Sequence, residues 1–326
     1  MLNKNLNQKV FDEDVERVPT RNGYGDGLLQ AGEENEDVVA LCADLTSSTR
    51  TNLFADKFPE RFIQVGVAEQ NLATVASGMS AMGKIPFIAS YGMFSPGRNW
   101  EQIRTTICYN NANVKIVGAH AGVSVGPDGG THQAIEDIAI MRVIPRMIVL
   151  YPCDSVEAKK AVSESVKIEG PVYIRLAREK TPVITTESTP FEIGKAQRVF
   201  ETEKPQVGII GSGPLLYNAL VVAKELVEEG VNVTVLNLST IKPLDGEAVL
   251  KLSKEVEGIV TVEEHQVAGG VGSAVAEFLA KNHPTKIEFV GIKDEFGQSG
   301  KPEELIEYYN IGVKGIKEAV KHVLNR

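Results

Sequence analysis

Cysteine, positive charge and long apolar runs are all scarce in this sequence, and each shortage excludes a class of protein. Three cysteines among 326 residues (Cys42, Cys108 and Cys153) are too few and too scattered for a zinc site or a disulfide framework. Cys42 and Cys108 lie inside apolar patterns and read as core thiols, which fits a reducing cytoplasm. The formal net charge of −9 argues against nonspecific nucleic-acid binding, because phosphates would be repelled. No apolar run approaches a membrane span, so no membrane partner is expected. Met1–Arg17 is polar and mixed in charge, with no apolar signal core. Internal repeats and low-complexity tracts are also missing.

What is present is ordinary globular composition, 43% hydrophobic and 24% charged, in a chain long enough for two domains. Residues 1–17 read as a loose lead-in, and 21–34 as a helix. Apolar runs at 38–43, 62–66, 85–91, 114–119, 147–151 and 172–176 read as strands, with helical patterns at 99–109 and 156–167. Around Thr181–Pro190 the composition turns to Thr, Pro and Glu, a linker signature. A second series follows: strands at 207–210, 231–236 and 258–262, and helices at 214–229, 272–280 and 313–324. This alternation predicts an α/β fold of two domains, 1–185 and 186–326, each a mostly parallel sheet flanked by helices.

One stretch organises the chemistry. A short apolar run ends at Gly66 and a small-residue helical pattern follows (Leu72, Ala73, Val75, Ala76, Gly78, Met79). It predicts a buried strand entering a buried helix, with Glu69 at the join. The plain role of such a Glu is to offset the positive end of the helix dipole. Yet Asp44, Glu69, Tyr91, His120 and Arg178 all follow strands, and in a parallel sheet they collect on one edge, where ligands bind. His120 opens a glycine-rich loop that also carries Asp128 and His132. Glycines there let backbone approach a ligand closely.

Two motifs, Val67-Ala68-Glu69-Gln70-Asn71 and the loop from Ser124 through Asp128 to His132-Gln133, resemble transketolases. The resemblance covers nearly the whole chain but only the carboxy-terminal half of a usual transketolase: the pyrimidine-binding and terminal domains. It implies the carboxy-terminal subunit of a split transketolase, with thiamine diphosphate bound between chains. The separate amino-terminal subunit would hold magnesium or calcium, so this chain is assigned no metal ligand. Two copies of each subunit would assemble.

The resemblance also implies roles. Glu69 would hydrogen-bond a ring nitrogen of the aminopyrimidine and favour the tautomer that activates the cofactor; an apolar setting would raise its pKa. Tyr91 and Phe94 would hold the pyrimidine ring, with Asp44 and Leu45 near the cofactor. Gly97 stands where the family often has a further aromatic, and Trp100 is the nearby substitute. His120, Asp128 and His132 match positions that contact the sugar, where proton transfer needs a group titrating near neutrality. Arg21, Ser48 and Arg178 match sugar-phosphate positions; arginine's planar fork suits a phosphate.

The activity implied is transfer of a two-carbon ketol unit between sugar phosphates, as in the pentose phosphate pathway. Half of a deoxyxylulose-phosphate synthase and the beta subunit of a 2-oxoacid dehydrogenase are the alternatives, and a module that kept the fold but lost the chemistry is the non-enzymic one. Gly25-Asp26-Gly27 with Asn52 imitates a metal-diphosphate motif but follows no buried strand. Gly211-Ser212-Gly213 lacks the third glycine of a dinucleotide fingerprint and reads as a tight turn. Glu263-Glu264-His265 reads as a stretch facing a subunit interface.

Overall fold

The computed structural model describes residues 1–326, arranged as two domains. In the first, β1 (Arg17–Pro19) and α1 (Thr20–Glu34) precede β2 (Val38–Cys42), α2 (Asn52–Lys57), β3 (Phe62–Gln64) and α3 (Glu69–Ala81). Then come β4 (Ile85–Tyr91), α4 (Trp100–Gln102) running into a π-helical stretch, and β5 (Lys115–Ala119). After the histidine loop follow α5 (Asp137–Arg142), β6 (Ile148–Leu150), α6 (Ser155–Val166), β7 (Val172–Arg175) and β8 (Lys180–Pro182). The second domain runs β9 (Gln197–Glu201), β10 (Val207–Gly211), α7 (Leu216–Glu228), β11 (Val233–Asn237), β12 (Thr240–Lys242) and α8 (Gly246–Glu255). It closes with β13 (Gly258–Gln266), α9 (Val271–Asn282), β14 (Ile287–Ile292), α10 (Pro302–Tyr308) and α11 (Val313–Leu324).

The first sheet has the order β12-β6-β7-β5-β4-β2-β3, parallel except for β12; the second has the order β14-β13-β10-β11-β9, parallel except for β9. Every residue of β2, β5 and β7 is buried, as expected for strands covered on both faces. One apolar cluster joins Ile88, Ile116 and Tyr173 of the first sheet to Ile210, Leu236 and Val271 of the second domain. The strand β12, from the second domain, completes the first sheet. The two domains therefore share a core.

Three expectations are corrected. The lead-in is fastened: Leu6 and Val10 are buried in the second domain's core, and Asn3 N–H donates to the Val199 carbonyl at 2.9 Å. The linker composition is real, but the segment is strapped down. Asp154 caps α6 through the Glu157 N–H and also accepts from the N–H groups of Ile184 and Thr185 at 2.7 and 2.5 Å. Finally, β3 is an edge strand with Gln64 exposed, and α3 buries only Glu69, Leu72, Ala73 and Ala76. Val67 is 70% exposed and Met82 83%. The apolar run predicted a buried strand and helix, but this chain covers only one of their sides.

Candidate active site

The parallel sheet brings the carboxyl ends of β2, β4, β5 and β7 to one edge. Asp44 and Leu45 follow β2, Tyr91 ends β4, His120 follows β5, and Arg178 lies just beyond β7. Glu69 begins α3, and its side chain is 2% exposed.

The setting of Glu69 is not apolar, which corrects the expectation drawn for it. Arg98 Nη1 donates to Glu69 Oε2 at 2.7 Å. Asn99 Nδ2 donates to the Glu69 carbonyl at 2.9 Å, anchoring the first turn of α3. Arg98 is about half exposed and lies over the Phe94 ring, 4.8 Å from its centroid. Neither Arg98 nor Asn99 was singled out from the sequence; their place four and five residues after Phe94, in the loop leaving β4, was the available signal.

Tyr91 and Phe94 stack at 6.1 Å with an interplanar angle of 16°, forming a flat aromatic wall. Tyr91 also stacks on His120 at 3.9 Å, and Phe94 meets His132 edge-on at 5.4 Å. Phe94 thus bridges the Glu69–Arg98 pair to the histidine loop. Trp100 does not extend the wall: its Nε1 donates to the Ile140 carbonyl at 2.7 Å, and the ring packs against the core. Gly97 is required where it stands, because a Cβ would collide with the Met93 carbonyl.

His120 has a left-handed backbone, φ 54°, and is 2% exposed. Its Nε2 lies 3.1 Å from Arg21 Nη1. A guanidinium can only donate, so Nε2 is the acceptor and the neutral ring carries its proton on Nδ1. That Nδ1 is buried with no partner. Burial first, then the charges of Arg21 and Arg178, push the His120 pKa down to about 3. Burial and the neighbouring arginines therefore favour the neutral imidazole at His120, against the expectation of a group titrating near neutrality. His132 is half-buried, with Nδ1 2.9 Å from the Thr131 hydroxyl.

Arginines surround His120. Arg21 donates to the Ser48 carbonyl at 2.9 Å, while its buried Nε has no partner. Ser48 thus contributes its backbone oxygen to this corner. Burial lowers the Arg21 pKa, and the charges of Arg50 and Arg178 add to that effect. Arg50, two residues after Ser48, is a member of this cluster that the sequence reading passed over. Arg178 Nη1 donates to the Val125 carbonyl at 2.6 Å and lies 3.6 Å from Asp128 Oδ1. Asp44 is exposed, with φ 60°, and its N–H donates to Gln64 Oε1 at 2.8 Å. The Leu45 carbonyl accepts from the Thr49 N–H and hydroxyl. The hydrogen bonds of Asp44 and Leu45 stay within the β2–β3 corner.

The remaining motifs fall away from the edge or between the domains. Gly25-Asp26-Gly27 lies inside α1, and Asn52 starts α2. Gly213 has φ 66° and packs on the Tyr151 ring, with no room for a Cβ. Glu263, Glu264 and His265 are buried inside this chain, with Glu264 and His265 accepting from Ser124 and Ala139 of the first domain, which corrects the expectation of a subunit interface. Glu263 accepts from the Val271 and Gly272 N–H groups at 2.6 and 2.8 Å, satisfying the start of α9.

Residues 16–183 match the transketolase pyrimidine binding domain, and residues 194–316 match the transketolase C-terminal domain. The chain is 43% identical over 309 residues to a putative transketolase C-terminal section of Methanocaldococcus jannaschii, covering 94% of this chain and 96% of that protein. It is 39% identical over 316 residues to a 6-deoxy-6-sulfo-D-fructose transketolase subunit of a Clostridium species, covering 97% and 98%. Against the transketolase of Homo sapiens it is 33% identical over 313 residues, covering 95% of this chain but only 50% of that one. A solved split gene transketolase, described as an inactive beta4 tetramer, superposes with a TM-score of 0.88 at 42% identity, covering 94% of this chain and 99% of that chain.

Proposed function

The chain belongs to the transketolase family, and from that premise we propose that it is the carboxy-terminal subunit of a split transketolase. Together with a separate amino-terminal subunit it transfers a two-carbon ketol unit from a ketose phosphate to an aldose phosphate. The observation that carries this reading is the buried Glu69 carboxylate, bridged through Arg98 and Phe94 to the histidine loop. The functional units are residues 1–185, which present the pyrimidine-binding edge, and 186–326.

The residues present fit thiamine diphosphate. Glu69 offers a carboxylate to a ring nitrogen once the half-exposed Arg98 swings aside, and the Tyr91–Phe94 wall offers a flat face for the aminopyrimidine. Asp44 and Leu45 hold the loop beside it. When bound, the cofactor supplies the nucleophilic carbon and the electron sink for carbon–carbon cleavage. Arg21, with its free Nε, and Arg178 take the sugar phosphate, and the Ser48 carbonyl fixes the aim of Arg21. His120 donates its Nδ1 proton to a sugar oxygen, Asp128 accepts from a hydroxyl, and His132 carries the mobile proton. The partner subunit brings magnesium or calcium with the diphosphate tail. We place the assembly, a heterotetramer with two copies of each subunit, in the cytoplasm and in pentose phosphate metabolism.

The test is reconstitution. This chain, its amino-terminal partner, thiamine diphosphate and magnesium should transfer ketol from xylulose phosphate to ribose phosphate. Glu69→Ala should lower the rate about 1,000-fold, the scale of a lost acid–base group. Full activity from the isolated chain would contradict the split reading. Turnover of pyruvate with glyceraldehyde phosphate in place of the sugar pair would favour the synthase alternative, and transfer to a lipoyl domain the dehydrogenase.

A further inference from the structure

We propose that Glu264, in the second domain, is a positioning residue for sugar-phosphate binding. By holding the Ser124 N–H it orients the Val125 carbonyl, and that carbonyl aims Arg178. The inference rests on the proposed function in taking Arg178 as a phosphate ligand.

Glu264 lies near the end of β13 and is 1% exposed. Its Oε1 accepts from the Ser124 N–H at 2.5 Å, reaching across the domain boundary into the histidine loop. The approach leaves no room for a side chain at Gly122, whose φ is 93° and whose Cβ would collide with the carboxylate. Two peptide units further on, within the same short helical turn, the Val125 carbonyl accepts from Arg178 Nη1 at 2.6 Å. Orienting Ser124 thus orients the acceptor that holds the guanidinium.

The same residue is tied to the other end of the loop. The Glu264 carbonyl accepts from Arg175 Nη2 at 2.9 Å, and that nitrogen also donates to the Ala134 carbonyl at 3.0 Å. Ala134 in turn accepts from the Gly122 N–H at 2.8 Å. Both ends of the loop are therefore registered against one residue of the second domain. Most of the catalytic set lies on the first sheet's edge, and the second domain contributes the fixture.

A carboxylate is not chosen here for an ion pair with substrate, since Glu264 is buried behind the loop. Burial pushes its carboxyl pKa up, so an amide is a close stand-in for its accepting oxygen. Glu264→Gln should preserve the grip. Glu264→Leu keeps the volume but leaves the Ser124 N–H without an acceptor.

Two measurements test this. In the full chain alone, the Ser124 amide should exchange with deuterium about 10-fold faster in Glu264→Leu and unchanged in Glu264→Gln, as for loss of one hydrogen bond. In the reconstituted enzyme, Glu264→Leu should raise KM for the sugar phosphates about 10-fold while kcat changes about 2-fold at most, with Glu264→Gln restoring KM. Wild-type exchange at Ser124 in Glu264→Leu overturns the inference whatever the activity, and so does an unchanged KM. An inactive wild-type assembly would instead sink the proposed function itself.

Discussion

The Glu69 corner and the histidine loop lie on one sheet edge, yet the chain finishes only one of them. The loop is gripped from behind. Gln133, 1% exposed, donates through Nε2 to the carbonyls of Val123, Gly126 and Gln298, and the second domain adds Glu264. The Glu69 corner opens outward instead. It sits beside an edge strand, under an exposed Val67, and its carboxylate is met by one half-exposed arginine. The histidine-loop side is prebuilt by this chain, and the carboxylate side is left open. That division agrees with the function proposed above, in which the cofactor lies between subunits.

The contrast can be broken most severely from the loop side. Asp137 and Arg175 form a buried ion pair at 2.9 Å, and Tyr173 donates to Asp137 at 2.6 Å. Asp137→Ala strands the guanidinium that ties Ala134 to Glu264, and should cost about 3–5 kcal/mol in urea unfolding. A loss under about 1 kcal/mol would mean that the loop is not held by this network.

Acid sharpens the comparison at an intermediate scale. The folded pKa of His120, about 3, lies below the ordinary value of 6.5, so the fold favours the neutral ring. Its stabilising contribution is present above pH 6.5 and is lost as pH falls from there toward 3. The buried His265, pushed down to about 4 by desolvation, adds in the same direction. Glu263, raised to about 8, acts oppositely: its contribution is present below pH 4.5 and is lost as pH rises through 8. Comparing His120→Asn with the parent isolates the contribution of this imidazole. At pH 5.5 the parent should lose about 1 kcal/mol more than the variant, relative to pH 7.5, by chemical denaturation. Parallel losses would show that His120 is not held neutral.

The smallest effect belongs to the open corner. Arg98→Ala removes a pair whose arginine is about half exposed, so screening by solvent limits its contribution. Stability should fall by less than about 1 kcal/mol, read from the same unfolding curves. A loss as large as that of Asp137→Ala would make the two regions equally built and erase the distinction.

Much of this was legible in the chain. Runs such as Val38–Cys42 and Val172–Arg175 announced strands buried on both faces, and the helices at α6, α7 and α11 followed their periodicity. The short antiparallel strands β9 and β12 were not foreseen. Gln-Arg-Val-Phe-Glu and Thr-Ile-Lys carry too little pattern, and both owe their pairing to distant strands. The Thr-Pro tract read as a linker because composition does not reveal that Asp154 lies opposite it.

By itself the sequence determined where chemistry could gather. Alternating strands and helices force a parallel sheet, and a parallel sheet puts Asp44, Tyr91, His120 and Arg178 at one edge with Glu69 beside them. Only the tertiary structure decided what each group meets there. Glu69 faces Arg98 across 29 residues, and Ser124 faces Glu264 across 140. Local periodicity records which face of an element is apolar. It holds nothing about which distant group will be packed against a buried one: burial, reinforced by Arg21 and Arg178, keeps His120 neutral, and the Val125 carbonyl turns Arg178 toward its loop.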